Sequence, residues 1–213
     1  MEMSSTKKNE LINKISFIIG LVGNVLFLVL ISISHYFAII NGFDWRTLEL
    51  SELVLFDPVG KALFITACIV NGLCLYFPLI AIRNFFKEKY HKISYLIIAI
   101  MTPTFLILLG AISEDYYLVT HYTVAVIFFA FNMIMLLYTS IYTIKKIKQI
   151  PIFYPIFGII SFITFLFHII TRWFFGGPYT QRIAILFSMI YLVIFSGRLL
   201  LKSDSIRHEN AVQ

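Results

Sequence analysis

Side chains able to do chemistry are scarce in this chain, and most of them gather at two short connections between apolar runs. Glu114, Asp115 and His121 fall at one connection, while His168, Arg172, Gln181 and Arg182 flank another. Asp57 stands before the second apolar run. His168 and Arg172 are four residues apart, so on a helix they share a face, with His168 about 6 Å deeper at ~1.5 Å per residue. Arginines hold a phosphate or carboxylate by forked hydrogen bonds, and a histidine beside a carboxylate can move a proton. Asp57, Asp115, His121, His168, Arg172, Gln181 and Arg182 are therefore the candidate ligand-binding set, with His121 as base and Asp115 as its orienter if a reaction is catalysed. The bland alternative is that Glu114 and Asp115 pair with Arg172 and Arg182 and merely tie two loops together.

No CxxC, HExxH, GxSxG, Walker loop or glycine-rich dinucleotide fingerprint occurs. An enzyme would thus lack a nucleophile at motif spacing, which points toward a binding role with no cofactor. Zinc needs three or four convergent ligands, and His35, His121 and His168 with Asp57 or Asp115 would meet only in a fold nothing else supports, so no metal is expected. Cys68 and Cys74 are six residues apart in one apolar run, on different helix faces, and read as core thiols rather than a disulfide.

The elements that position these residues are membrane spans. The 213 residues are 60% hydrophobic, 17% aromatic and 13% charged, with a mean hydropathy of +0.89, beyond what a soluble core of this length needs. Six apolar runs, at about 11–34, 60–82, 93–113, 119–144, 150–172 and 183–201, are each long enough to cross a hydrocarbon layer of about 30 Å. Their apolar character is continuous rather than alternating, so they are helices, which satisfy their own backbone in lipid. The fold class is all-α: a polytopic six-helix transmembrane bundle over 11–201, between tails at 1–10 and 202–213. Pro78, Pro103 and Pro155 should kink their helices, with Thr102 and Thr104 bonding freed carbonyls, while Pro151 sits in a first turn.

Basic residues set the orientation. One side receives Lys7, Lys8, Lys14, Arg83, Lys87, Lys89, Lys92, Lys145, Lys146, Lys148, Arg198, Lys202 and Arg207, and the other keeps only Arg46, Lys61, Arg172 and Arg182. Thirteen against four places both termini in the cytoplasm. The net charge of +6 is spread over juxtamembrane segments, so it reads as a topology signal and contact with anionic lipids, with no nucleic-acid partner. The first run follows a basic stretch and residues 32–34 loosely match a cleavage site, but its length and the small face of Gly20, Gly23 and Asn24 favour a retained span.

One loop is long. Residues 35–58 face outward, and 44–53 could form an amphipathic surface helix capped by Asp44, with Trp45 in the interface. Within the bilayer, Asn24, Asn71 and Asn132 are expected to join helices by hydrogen bonds, and Arg198 to snorkel to headgroups. No period marks an inverted repeat of three spans, and the polar residues collect at the outer end, which ranks a transporter third.

Several short motifs resemble those of a prokaryotic six-span family, the domain of unknown function nine-nine-eight. They are Ser51-Glu52-Leu53 through Asp57-Pro58 into Phe64; Glu114-Asp115, His121, Ala125 and Phe128-Phe129; Gly177 through Gln181-Arg182; and Gly197-Arg198-Leu199. The resemblance covers about residues 10 to 202 and carries Asp115, His121 and Arg182 over as family positions, but the prokaryotic branch has no activity to lend. The pattern is also loosely similar to the eukaryotic Frag/DRAM/Sfk-like group, whose members are associated with lipid remodelling, autophagy and phosphoinositide signalling. Phe56-Asp57 replaces that pattern's small residues near Pro58, and Tyr116-Tyr117-Leu118 leaves no proline in the acidic turn.

The sequence therefore leads to a multi-pass protein of the plasma membrane whose partners are membrane lipids, binding an anionic lipid-like headgroup in an outward-facing polar cleft. A lipid-modifying enzyme using His121 and Asp115 is the alternative, and a small-solute transporter comes next. Protein partners and oligomeric state are left open.

Overall fold

In a bundle solvated by lipid, polar side chains turn inward and aliphatic ones outward. The computed structural model describes residues 5–175 and 179–201 and shows this in its first helix, α1 (Ser5–Ile40). Asn13, Ser16, Asn24 and Ser34 are buried there, while Ile18, Val22, Val25 and Val29 are exposed. Then follow α2 (Pro58–Ile82), α3 (Lys89–Ala111), α4 (Leu118–Lys146), α5 (Phe153–Phe175) and α6 (Tyr179–Leu201). All six are long and apolar enough to cross a membrane, and no strand occurs among the described residues. Each helix packs on its neighbour in the chain, and α6 returns to α1, so the six close a ring around an interior that α2 and α6 also bridge.

The first helix is longer than its expected 11–34 span because nothing stops it before Asn41-Gly42. Gly42 has φ +94°, and Phe43 N and Gly42 N donate back to Ala38 O and Ile39 O at 3.0 and 3.1 Å, a glycine-terminated Schellman cap. Residues 5–10, expected in the tail, are therefore helical. The C-terminal tail at 202–213, with Lys202, Arg207 and His208, lies outside the described residues, as does Gly177.

The surface helix expected at 44–53 does not form. Asp44 Oδ1 accepts Arg46 N at 2.9 Å in a tight turn, and a short 3-10 helix occupies Ser51–Leu55. Phe43, Leu50, Leu53 and Val54 are buried, so the segment folds inward and plugs that end of the bundle, leaving Trp45 exposed. Apolar contacts inside the ring outcompete the membrane surface. This is the long-loop end; the other carries most of the lysines.

Glycine sets helix spacing where α2 meets its neighbours. A Cβ at Gly23 would collide with Cys74, and one at Gly110 with Cys68, so the two free cysteines face α1 and α3 respectively; Cys68 is a buried core thiol as expected, whereas Cys74 is only partly buried. Pro78 and Pro103 lie inside helices, and Thr102 and Thr104 bond Ile98 O and Ile100 O at 2.9 and 2.7 Å, on either side of the Ala99 carbonyl that Pro103 leaves free. Pro155, expected as a kink, falls in the first turn of α5, where its missing N–H costs nothing, and Pro151 precedes the helix.

Candidate functional site

At the long-loop end the seven candidate residues divide into three environments. Asp57 is the N-cap of α2: Oδ1 accepts Gly60 N at 2.7 Å, Asn41 Nδ2 donates to Oδ2 at 3.3 Å, and Pro58 takes the first helical position. Both carboxylate oxygens are therefore held in a structural role.

On the α2 side, Lys61 Nζ meets Asp115 Oδ2 at 2.5 Å, and Ser113 donates to the other carboxylate oxygen. Burial works to raise the Asp115 carboxyl, but the hydrogen bonds from Lys61 and Ser113 outweigh it and leave its pKa below the usual value. The carboxylate beside His121 is not Asp115 but Glu114, whose Oε2 is 3.8 Å from Nε2. His121 is 1% exposed and its Nδ1 lies 2.6 Å from Ile112 O, so it braces the turn into α4. A general base must reach the proton it takes, and this ring is enclosed. Tyr122 OH donates to Glu114 Oε1 at 3.1 Å.

On the α5–α6 side, the pairs expected between Arg172 or Arg182 and residues 114–115 are replaced by others. Arg172 Nε contacts Glu49 Oε1 at 2.5 Å. Burial raises the Glu49 carboxyl above the usual range and Arg172 opposes that rise. His168 Nδ1 lies 2.9 Å from Thr180 Oγ1, which bridges α5 to α6. Arg182 Nη2 donates to Leu48 O at 3.0 Å and Gln181 Oε1 accepts Leu50 N at 2.9 Å. These two residues thus pin the inward-folded segment onto α6. Arg182 Nε and Nη1 are buried with no partner.

Two voids adjoin this cluster. A groove of about 740 Å³ runs between α4 and α5, with Val126 and Ile134 exposed along its rim, and its apolar wall ends at Glu49, His168, Arg172 and Tyr122. Beside it lies a cavity of about 70 Å³, and Glu49, Tyr122, Ala125 and Phe129 line both voids. Of the candidates, His168 and Arg172 line the groove and Gln181 the cavity, whereas Asp57, Asp115, His121 and Arg182 line neither. Glu49 and Tyr122, which border both voids, are not among the residues expected from the sequence. Their only signals were an acid alternating with Leu48 and Leu50, and a tyrosine one turn into an apolar helix.

The three interior amides also part company. Asn132 exchanges hydrogen bonds with Ser188 at 3.0 and 3.2 Å, joining α4 to α6 as expected. Asn24 instead donates within its own helix, to Gly20 O at 3.0 Å, and the Oδ1 atoms of Asn24 and Asn71 are buried without a partner. At the other end, Arg198 Nη2 donates to Gln149 O at 3.3 Å, in the connection between α4 and α5.

Six apolar helices with polar side chains turned inward define a multi-pass integral membrane protein. The family model described as "Protein of unknown function (DUF998)" matches residues 21–198, and the chain belongs to that family. No curated protein and no solved structure matches it significantly. The likeness to the Frag/DRAM/Sfk-like group therefore rests on the sequence motifs alone.

Proposed function

We propose that this protein binds a membrane lipid from the side, at the outer face of the plasma membrane. The acyl chains lie in the α4–α5 groove and an anionic headgroup meets Arg172 at its upper end. The observation that carries this reading is the form of the groove: a long apolar wall facing lipid that ends in an arginine whose side chain is 43% exposed. Acyl chains gain little from an apolar wall over other lipid, so affinity must come from the polar end. There Arg172 exchanges its Glu49 carboxylate for a headgroup phosphate, a forked, charge-assisted contact. The raised Glu49 carboxyl supports that exchange, because burial already opposes its ionised form. The excess of basic residues at the opposite end supports an outward groove.

Photo-crosslinking tests the location. A photoreactive residue at Met133, in the groove wall, should label phosphatidylglycerol in nanodiscs, and one at Val22, on the lipid-facing side of α1, should label it at background level. Equal labelling at both positions would reduce the groove to ordinary annular contact.

A further inference from the structure

Among the described residues, Glu49 is the one carboxylate that borders the α4–α5 groove, and Arg172 is the cation that holds it. The residue is 8% exposed, and the groove wall beside it, at Ala125 and Phe129, is apolar. An ionised carboxylate in such a place depends on its counter-charge. If that counter-charge turns to another anion, the carboxylate either stays as a buried lone charge or takes up a proton, and burial favours the proton.

The other charges around Glu49 do not replace Arg172. Within its own segment, Glu52 Oε2 accepts Glu49 N. Glu114 faces it from the turn before α4, with Oε1 bonded by Tyr122 OH and Oε2 3.8 Å from His121 Nε2. Lys61 of α2 is engaged by Asp115, and His168 of α5 is turned to Thr180. Arg182 of α6 donates to Leu48 O, and His35 of α1 lies in the field of that arginine. When all are ionised, Arg172 and Arg182 stand against Glu49, Glu52 and Glu114, two cations against three carboxylates. Burial, then Glu52 and Glu114, push the Glu49 carboxyl upward, and only Arg172 pulls it down.

We propose that an anionic lipid enters the groove together with a proton, and that Glu49 is the group that receives it. This rests on the groove reading, in which the headgroup phosphate takes Arg172 from Glu49. Glu49 then faces Glu52, Glu114 and the phosphate with no cation of its own. One proton from solvent adds to its carboxylate and forms an O–H, so the cluster gains no net charge as the lipid binds. Glu49 thereby makes headgroup affinity follow pH: the anion is held more firmly in acid and released in alkali. One linked proton changes affinity by at most about tenfold per pH unit.

Isothermal titration of the detergent-purified full chain with phosphatidylglycerol tests this. Run at one neutral pH in phosphate and in Tris, whose ionisation heats differ, it counts the protons taken up. The parent should take up close to one proton, and its affinity should rise at least tenfold from about pH 8 to about pH 5.5. Glu49→Gln should take up none and bind without pH dependence, while His168→Gln should keep the uptake. A parent that takes up no proton, a Glu49→Gln protein that still does, or uptake lost in His168→Gln instead would overturn the proposal. Arg172→Gln separates the two ideas. If it abolishes binding while the parent takes up no proton, the groove stands and the proton alone is lost; if it binds like the parent, the groove reading falls as well.

Discussion

Two ion pairs sit at the same end of the bundle, Lys61–Asp115 and Arg172–Glu49, and they behave as different kinds of object. Lys61 and Asp115 close over each other, with Ser113 completing the carboxylate, and neither borders the groove or the cavity. Arg172 and Glu49 stand at the edge of a groove of about 740 Å³, with the arginine exposed and the carboxylate 11% exposed. Residue types alone make the pairs look alike. What separates them is the neighbouring empty volume: a partner can be exchanged only where there is space for the replacement to stand.

Removing each pair in turn should therefore give opposite results. Arg172→Gln should cost at least tenfold in phosphatidylglycerol retention, read by native mass spectrometry, while Lys61→Gln leaves retention unchanged. Ala125→Trp, which fills part of the groove wall, should lower phosphatidylglycerol retention while Arg172 stays in place, and unaltered binding would dissociate the groove from the lipid. Asn132→Ala, away from both ion pairs, should lower stability by about 1 kcal/mol through the lost α4–α6 hydrogen bonds, measured by thermal unfolding.

Asp115→Asn should have the smallest effect, because partly exposed ion pairs contribute roughly 0–1 kcal/mol. Its sign with pH is fixed by the lowered folded pKa. The folded protein holds the ionised carboxylate more favourably than the unfolded chain does, so the contribution is present above the ordinary aspartate pKa and is lost as pH falls through the folded value. Glu49 runs the other way: with its folded pKa raised, stability declines as pH rises from the ordinary glutamate value through the folded one. A Glu49→Gln protein should lose that decline, and an Asp115→Asn protein should lose the acid-side fall. An unchanged pH profile in both would contradict the contrast.

The membrane architecture was legible because lipid imposes it: continuous apolar runs can be satisfied in that solvent only as helices. The site was half legible. His168 and Arg172 were placed on one helix face by their spacing alone, and both line the groove. Their partners were not legible, since Glu49 reaches Arg172 only because residues 43–56 fold into the ring instead of lying on its surface. That inward turn follows from long-range packing by Phe43, Leu50 and Leu53, together with the Gln181 and Arg182 bonds to their backbone. Proximity in sequence also misled, because Asp115 and Glu114 are adjacent yet point to different partners, Lys61 and His121.

The central claim is that Arg172, and not the equally basic Lys61, holds a lipid headgroup. Native mass spectrometry of the detergent-purified parent beside Arg172→Gln and Lys61→Gln, each equilibrated with phosphatidylglycerol and then delipidated, tests it directly. The account predicts one retained phospholipid in the parent and in Lys61→Gln and none in Arg172→Gln; equal retention in all three proteins would contradict it.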